Sequence, residues 1–118
     1  MKAGKRTIFA VISAMVVNKT LKYTAAYDYE RGRYVNFSAS GNLNEFSLFD
    51  YSRSCYVSVR PNQGYDFGSS SYVSINQSGN SLLLFDYESG TYCNVTVNDS
   101  NVLFYDSESG QYYNFSVS

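Results

Sequence analysis

From Asp28 to the C-terminus one short motif recurs five times, and an internal repeat constrains a fold more than any other property of a sequence. Aligned on Asp28, Asp50, Asp66, Asp86 and Asp106, the segments read YDYERGRYVNFSAS, FDYSRSCYVSVRPN, YDFGSSSYVSINQS, FDYESGTYCNVTVN and YDSESGQYYNFSVS. An aromatic residue precedes every aspartate: Tyr27, Phe49, Tyr65, Phe85 and Tyr105. A tyrosine follows six residues after each: Tyr34, Tyr56, Tyr72, Tyr92 and Tyr112. Two positions further stands Asn36, Ser58, Ser74, Asn94 or Asn114, and then an apolar residue, Phe37, Val59, Ile75, Val95 or Phe115.

Each unit reads as strand, turn, strand. Gly32, Gly90 and Gly110 stand where a tight hairpin needs positive φ. Ser54 and Ser70 occupy that place in the second and third units, which predicts different or looser turns there. The second strands alternate with period two. Val35, Phe37 and Ala39, then Val57 and Val59, Val73 and Ile75, Cys93, Val95 and Val97, and Tyr113, Phe115 and Val117 form one side, assigned to the core. The tyrosine column and its Asn/Ser neighbours form the other. The segment Pro61-Asn62-Gln63-Gly64 shortens the first strand of the third unit, which predicts an edge or a corner.

The fold class that follows is all-β, five repeated hairpins forming a meander barrel or a two-layer sandwich. The alternative is α+β, with an N-terminal helix packed on the antiparallel sheet. Residues 1–118 read as a single domain, with 1–20 an N-terminal strand or helix and 21–118 the five hairpin repeats.

Residues 7–17, TIFAVISAMVV, are apolar and follow the basic residues Lys2, Lys5 and Arg6. The pattern is that of the first two regions of a secretory signal, but the nearest small-residue cut site, at Thr24-Ala25-Ala26, would remove a strand of the first repeat. The run is too short to span a bilayer, which takes about 20 residues. A helix would align Ile8, Phe9, Ile12, Met15 and Val16. The β-branched content (Thr7, Ile8, Val11, Ile12, Val16, Val17) favours a strand, with a helix as the close alternative.

Several chemistries find no support. The net charge of −1 offers no basic field for nucleic acid. There is no histidine, and Cys55 and Cys93 read as free thiols in strands, with one bridge between them possible if the strands meet. The acidic turns Asp28/Glu30, Asp86/Glu88 and Asp106/Glu108 offer oxygen ligands but lack a calcium-loop spacing, so each aspartate reads as a cap on its turn. Carboxylates at hairpin tips should titrate normally, and Arg31, Arg33, Arg53 and Arg60 read as solvated rim charges. No catalytic residue, metal site or cofactor is expected.

The expected function is a non-enzymatic binding or self-assembly module working through an aromatic and polar sheet face. Its candidate residues are Tyr34, Tyr56, Tyr72, Tyr92 and Tyr112, with Asn36, Asn94 and Asn114. The tyrosines could stack on sugar rings or pack against a protein, or simply brace the sheet. Unpaired strand edges would favour a homo-oligomer. The other reading is a barrel with an apolar ligand cavity lined by residues such as Leu83 and Phe104. A cytoplasmic location is favoured, with secretion open.

Overall fold

The computed structural model describes residues 1–118. Ten strands follow one helix: β1 (Ala25–Asp28), β2 (Arg33–Asn42), β3 (Glu45–Asp50), β4 (Cys55–Arg60), β5 (Gln63–Asp66), β6 (Ser71–Ser78), β7 (Ser81–Asp86), β8 (Thr91–Asn98), β9 (Asn101–Asp106) and β10 (Gln111–Val117). Each pairs antiparallel with the next, and β1 pairs with β10 through Ala26–Val117 and its neighbours, so the meander closes into a barrel. The sandwich is therefore excluded. β5 is short, as its Pro-Asn-Gln-Gly lead-in suggests, but it pairs with both β4 and β6 and is no edge.

The strand alternation behaves as the hydropathy dictates. Val35, Phe37, Val57, Val59, Val73, Ile75, Cys93, Val95, Val97, Tyr113, Phe115 and Val117 are buried, Ala39 partly so. The tyrosine column lies on the opposite, outward side.

The N-terminal segment is helix α1 (Ala3–Asn18), which corrects the strand favoured for residues 7–17. Eleven consecutive residues, Lys5 to Met15, are buried, so every side of the helix is covered. Its apolar residues share one core cluster with inward residues of nine of the ten strands, and the tenth, β5, meets it through Gly64, which places the helix inside the barrel. This explains why β-branched propensity loses. A closed barrel has already paired its ladder groups, so a strand in the lumen would leave its own N–H and C=O groups orphaned. A helix satisfies them internally. Eight strands enclose just enough room for side chains, and ten enclose more. Here the helix fills that room. Gly64, on the inner side of β5, lets the helix approach: a Cβ there would stand 3.0 Å from the Phe9 ring.

The five turns share one design. Gly32, Gly90 and Gly110 adopt φ of 64°, 71° and 68°, and Ser54 and Ser70 adopt 53°. The second and third turns share this backbone angle, but they do differ: the glycine N–H donates to the aspartate carbonyl at 2.7–2.8 Å in the other three, and Ser54 and Ser70 make no such bond. The aspartate side chain holds each turn, accepting from the backbone N–H of Glu30, Ser52, Gly68, Glu88 or Glu108 at 3.0–3.2 Å. That aspartate cap overrides the reluctance of serine to adopt a left-handed backbone.

Candidate functional site

Two structures grow from the repeat, one inside the barrel and one outside. They arise from adjacent residues, because neighbours on a strand point to opposite sides.

The inner structure is a ring of aspartates. Each closes the first strand of its hairpin, and each is buried: Asp28, Asp50, Asp66, Asp86 and Asp106. Hence they are not water-exposed tip residues. Arg31 reaches Asp28 through Nε at 2.5 Å, and Arg53 reaches Asp50 at 2.7 Å and Asp66 at 3.0 Å. The helix supplies the remaining cations. Lys5 Nζ lies 2.7 Å from Asp86, while Arg6 and the Met1 amine lie 3.3 and 3.0 Å from Asp106. Arg31 and Arg53 are therefore half-buried partners, not rim charges, whereas Arg33 and Arg60 stay exposed. The helix enters the ring with its positive dipole end first, which the carboxylates further favour. Arg6 also lies 3.6 Å above the Tyr113 ring, a contact that offsets a buried Nε with no hydrogen-bond acceptor.

The titration of the ring follows from this pairing. Burial alone would raise the carboxyl pKa values of Asp28, Asp66 and Asp106, but their partners prevail. Arg31 holds Asp28 below its ordinary value, Arg53 and Ser69 do so for Asp66, and the Met1 amine and Arg6 do so for Asp106. Burial disfavours the charged Met1 amine, yet Glu108 and Asp106 raise its pKa. The Cys93 thiol, desolvated and 3.7 Å from Asp106, is pushed up to about 12, and burial raises Cys55 as well. Both cysteines are free. No group of three His, Cys, Asp or Glu is arranged to hold a metal ion.

The outer structure is a belt of aromatic clusters. In every hairpin the aromatic before the aspartate faces the tyrosine column directly: Tyr27–Tyr34, Phe49–Tyr56, Tyr65–Tyr72, Phe85–Tyr92 and Tyr105–Tyr112. Their ring centroids are 4.7–4.9 Å apart. A third ring, missed by the sequence reading, comes from the residue after the aspartate. Tyr29, Tyr51, Phe67 and Tyr87 meet the central ring edge to face at 4.8–5.0 Å. The fifth unit carries Ser107 there. The signal was present, since an aromatic follows four of the five aspartates.

The central ring is largely covered, while the column tyrosines are 48–66% exposed. On its far side each central ring faces a small polar residue of the preceding hairpin: Ser116, Ser38, Ser58, Ser74 or Asn94. The register is offset by two residues at β10–β1 and β2–β3. At those seams the carbonyls of Asn36 and Asn114 accept from the N–H of Tyr51 and Tyr29 at 3.2 and 3.3 Å, and only Asn94 of the three asparagines is paired with a central ring. All three are outward and exposed.

Where hairpins meet, the rings wall shallow grooves. One of about 320 Å³ is lined by Phe49, Tyr51 and Tyr56 against Ser38, Ser40 and Ser47. Its counterpart of about 480 Å³ sets Tyr65, Phe67 and Tyr72 against Ser58, Arg60 and Gln63. A third, about 330 Å³, lies between Tyr29 and Asn101 and Asn114. Leu83 points outward and Phe104 sits in the packed core, so they share no cavity. No helix is long and apolar enough to cross a membrane. No family model matches the chain, and no curated protein or solved structure matches it.

Proposed function

We propose that this chain is a non-enzymatic binding module that engages its partner through the aromatic belt. The observation that carries this reading is the exposure of five tyrosines at one register, each backed by a second ring and most by a third. Isolated hairpins gain stability from a single cross-strand pair. A belt of half-exposed rings beyond that pair maintains apolar surface in water, which soluble proteins usually reserve for contacts. The rings pin one another edge to face, and a tyrosine has few rotors to freeze on binding.

The interior supports the same reading. The helix takes the space an enclosed ligand would need, buried carboxylates are neutralised by cations, and the raised pKa of Cys93 keeps its thiol protonated at neutral pH. Closure of the barrel removes the free edges that favoured strand-to-strand assembly, so any association between copies would run through side chains.

The test replaces three column residues at once, Tyr56→Ser, Tyr72→Ser and Tyr92→Ser, and compares the variant with the parent on arrays of immobilised polysaccharides and peptides. Circular dichroism establishes that both are folded. The parent is expected to bind at least one class of probe and the variant to lose it. Equal binding by both proteins would remove the belt from consideration.

A further inference from the structure

We infer that the grooves between hairpins accept units of a neutral polysaccharide, several grooves serving one polymer. This rests on the belt being the binding surface and adds the chemistry of what it binds. Three features of the grooves carry the inference.

The first is their lining. Each resolved groove pairs aromatic walls with hydroxyl or amide groups, as in Phe49, Tyr51 and Tyr56 against Ser38, Ser40 and Ser47. A pyranose ring presents the complementary pair, an apolar C–H face and a rim of hydroxyls that both donate and accept. Because the rings meet edge to face, none is consumed by face-to-face stacking on a neighbour.

The second is charge. Among the residues lining these three grooves only Arg60 is ionic, and it lies 3.4 Å from Glu45 on the adjoining strand. A phosphate, a nucleic acid or an acidic peptide would find no unpaired cation there, and a basic peptide no anion.

The third is placement. The clusters repeat around a closed barrel and so face outward in different directions. A protein partner concentrates its contact energy in one central patch. Clusters distributed around a perimeter suit a flexible polymer, for which weak sites combine through effective concentration.

The experiment is a titration of the full-length chain, labelled with ¹⁵N and with ¹³C at tyrosine, with soluble neutral hexasaccharides of glucose, xylose, galactose and N-acetylglucosamine. A proline-rich decapeptide serves as the comparison probe. The expected result is movement of Tyr51, Tyr56, Tyr65 and Tyr72 signals with at least one saccharide, and affinity for the parent polymer roughly 10²–10⁴ times that for the monosaccharide. Tyr72→Ser should weaken hexasaccharide binding about 2–10-fold, with Tyr72→Phe close to the parent, since a ring contact is of that order. If the peptide moves these signals and no saccharide does, the polysaccharide is wrong and the belt survives as a docking surface. If neither probe moves them, both the ligand class and the belt fall.

Discussion

The two sides of the buried aspartate ring are neutralised in different ways. In the first two hairpins the turn itself carries arginine: Arg31 returns to Asp28, and Arg53 holds Asp50 and extends to Asp66 of the third. In the fourth and fifth hairpins the equivalent residues are Ser89 and Ser109, and the cations come from the helix as Lys5, Arg6 and the Met1 amine. The helix packs closest to β8, β9, β10 and β1, the side where its own charges are needed. One half of the ring is thus a property of the sheet, and the other is a bond between sheet and helix. The comparison shows how divergence at one turn position, arginine against serine, can position and orient a helix inside a symmetric barrel.

The largest test of this contrast is Lys5→Met. It leaves Asp86 charged, dry and without its cation, and should lower stability by about 3–5 kcal/mol in urea unfolding followed by tyrosine fluorescence. Arg31→Met should lose less, about 1–3 kcal/mol: both aspartates keep a backbone N–H and a hydroxyl, but water can enter where the partly exposed arginine lay and cannot where Lys5 is fully buried. Equal losses would erase the distinction between the two sides.

Acid should act on both sides. Asp28, Asp66 and Asp106 have folded pKa values below their unfolded ones, so unfolding takes up protons. The stability they contribute is fully present above the unfolded value, about 4, and is lost as pH falls through the depressed folded values. A pH series of urea midpoints should show this decline, and Arg31→Met should make it shallower. A decline unchanged by that substitution would show that the Asp28–Arg31 pair contributes nothing to it.

Smaller effects probe the fit of the helix and the turns. Gly64→Val would push into Phe9 and should cost about 1–3 kcal/mol. Smallest is Ser70→Gly, which relieves a left-handed serine and should raise stability by about 1 kcal/mol or less. A loss there would mean that the serine side chain supports the turn in a way its backbone does not reveal.

Much of the barrel wall was legible from the amino acids. The alternation of Val35, Phe37 and their counterparts names the inner side, and the tyrosine column names the outer. The sequence marks the aspartates as turn caps, which they are, and as exposed, which they are not. Their position two residues beyond Ala26, Leu48, Gly64, Leu84 and Phe104 on the same strand places them inward, yet a charged residue argues against burial until its cations are found. Arg31 and Arg53 stand three residues after their aspartates, but the other cations lie as far away as the Met1 amine, 105 residues from Asp106, and no local pattern links those. Residues 7–17 were ambiguous for a related reason. Their conformation is decided by the absence of free ladder partners in the lumen, a property of the finished barrel. The third ring of each cluster was overlooked because it lies in the turn, just beyond the strand on which periodicity is read.

Closure around a filled lumen also dictates an order of assembly. Nine of the ten strand pairings join consecutive strands, but the β1–β10 seam joins residues from opposite ends of the chain, such as Ala26 and Val117. Local pairings form quickly, and the long-range one waits on chain closure. The helix, already present at the start of the chain, can collect the strands around it before that seam is sealed. Drawing the helix out would also strip its ion pairs from Asp86 and Asp106 and its apolar side chains from the surrounding strands, so wall and plug should unfold together as one unit.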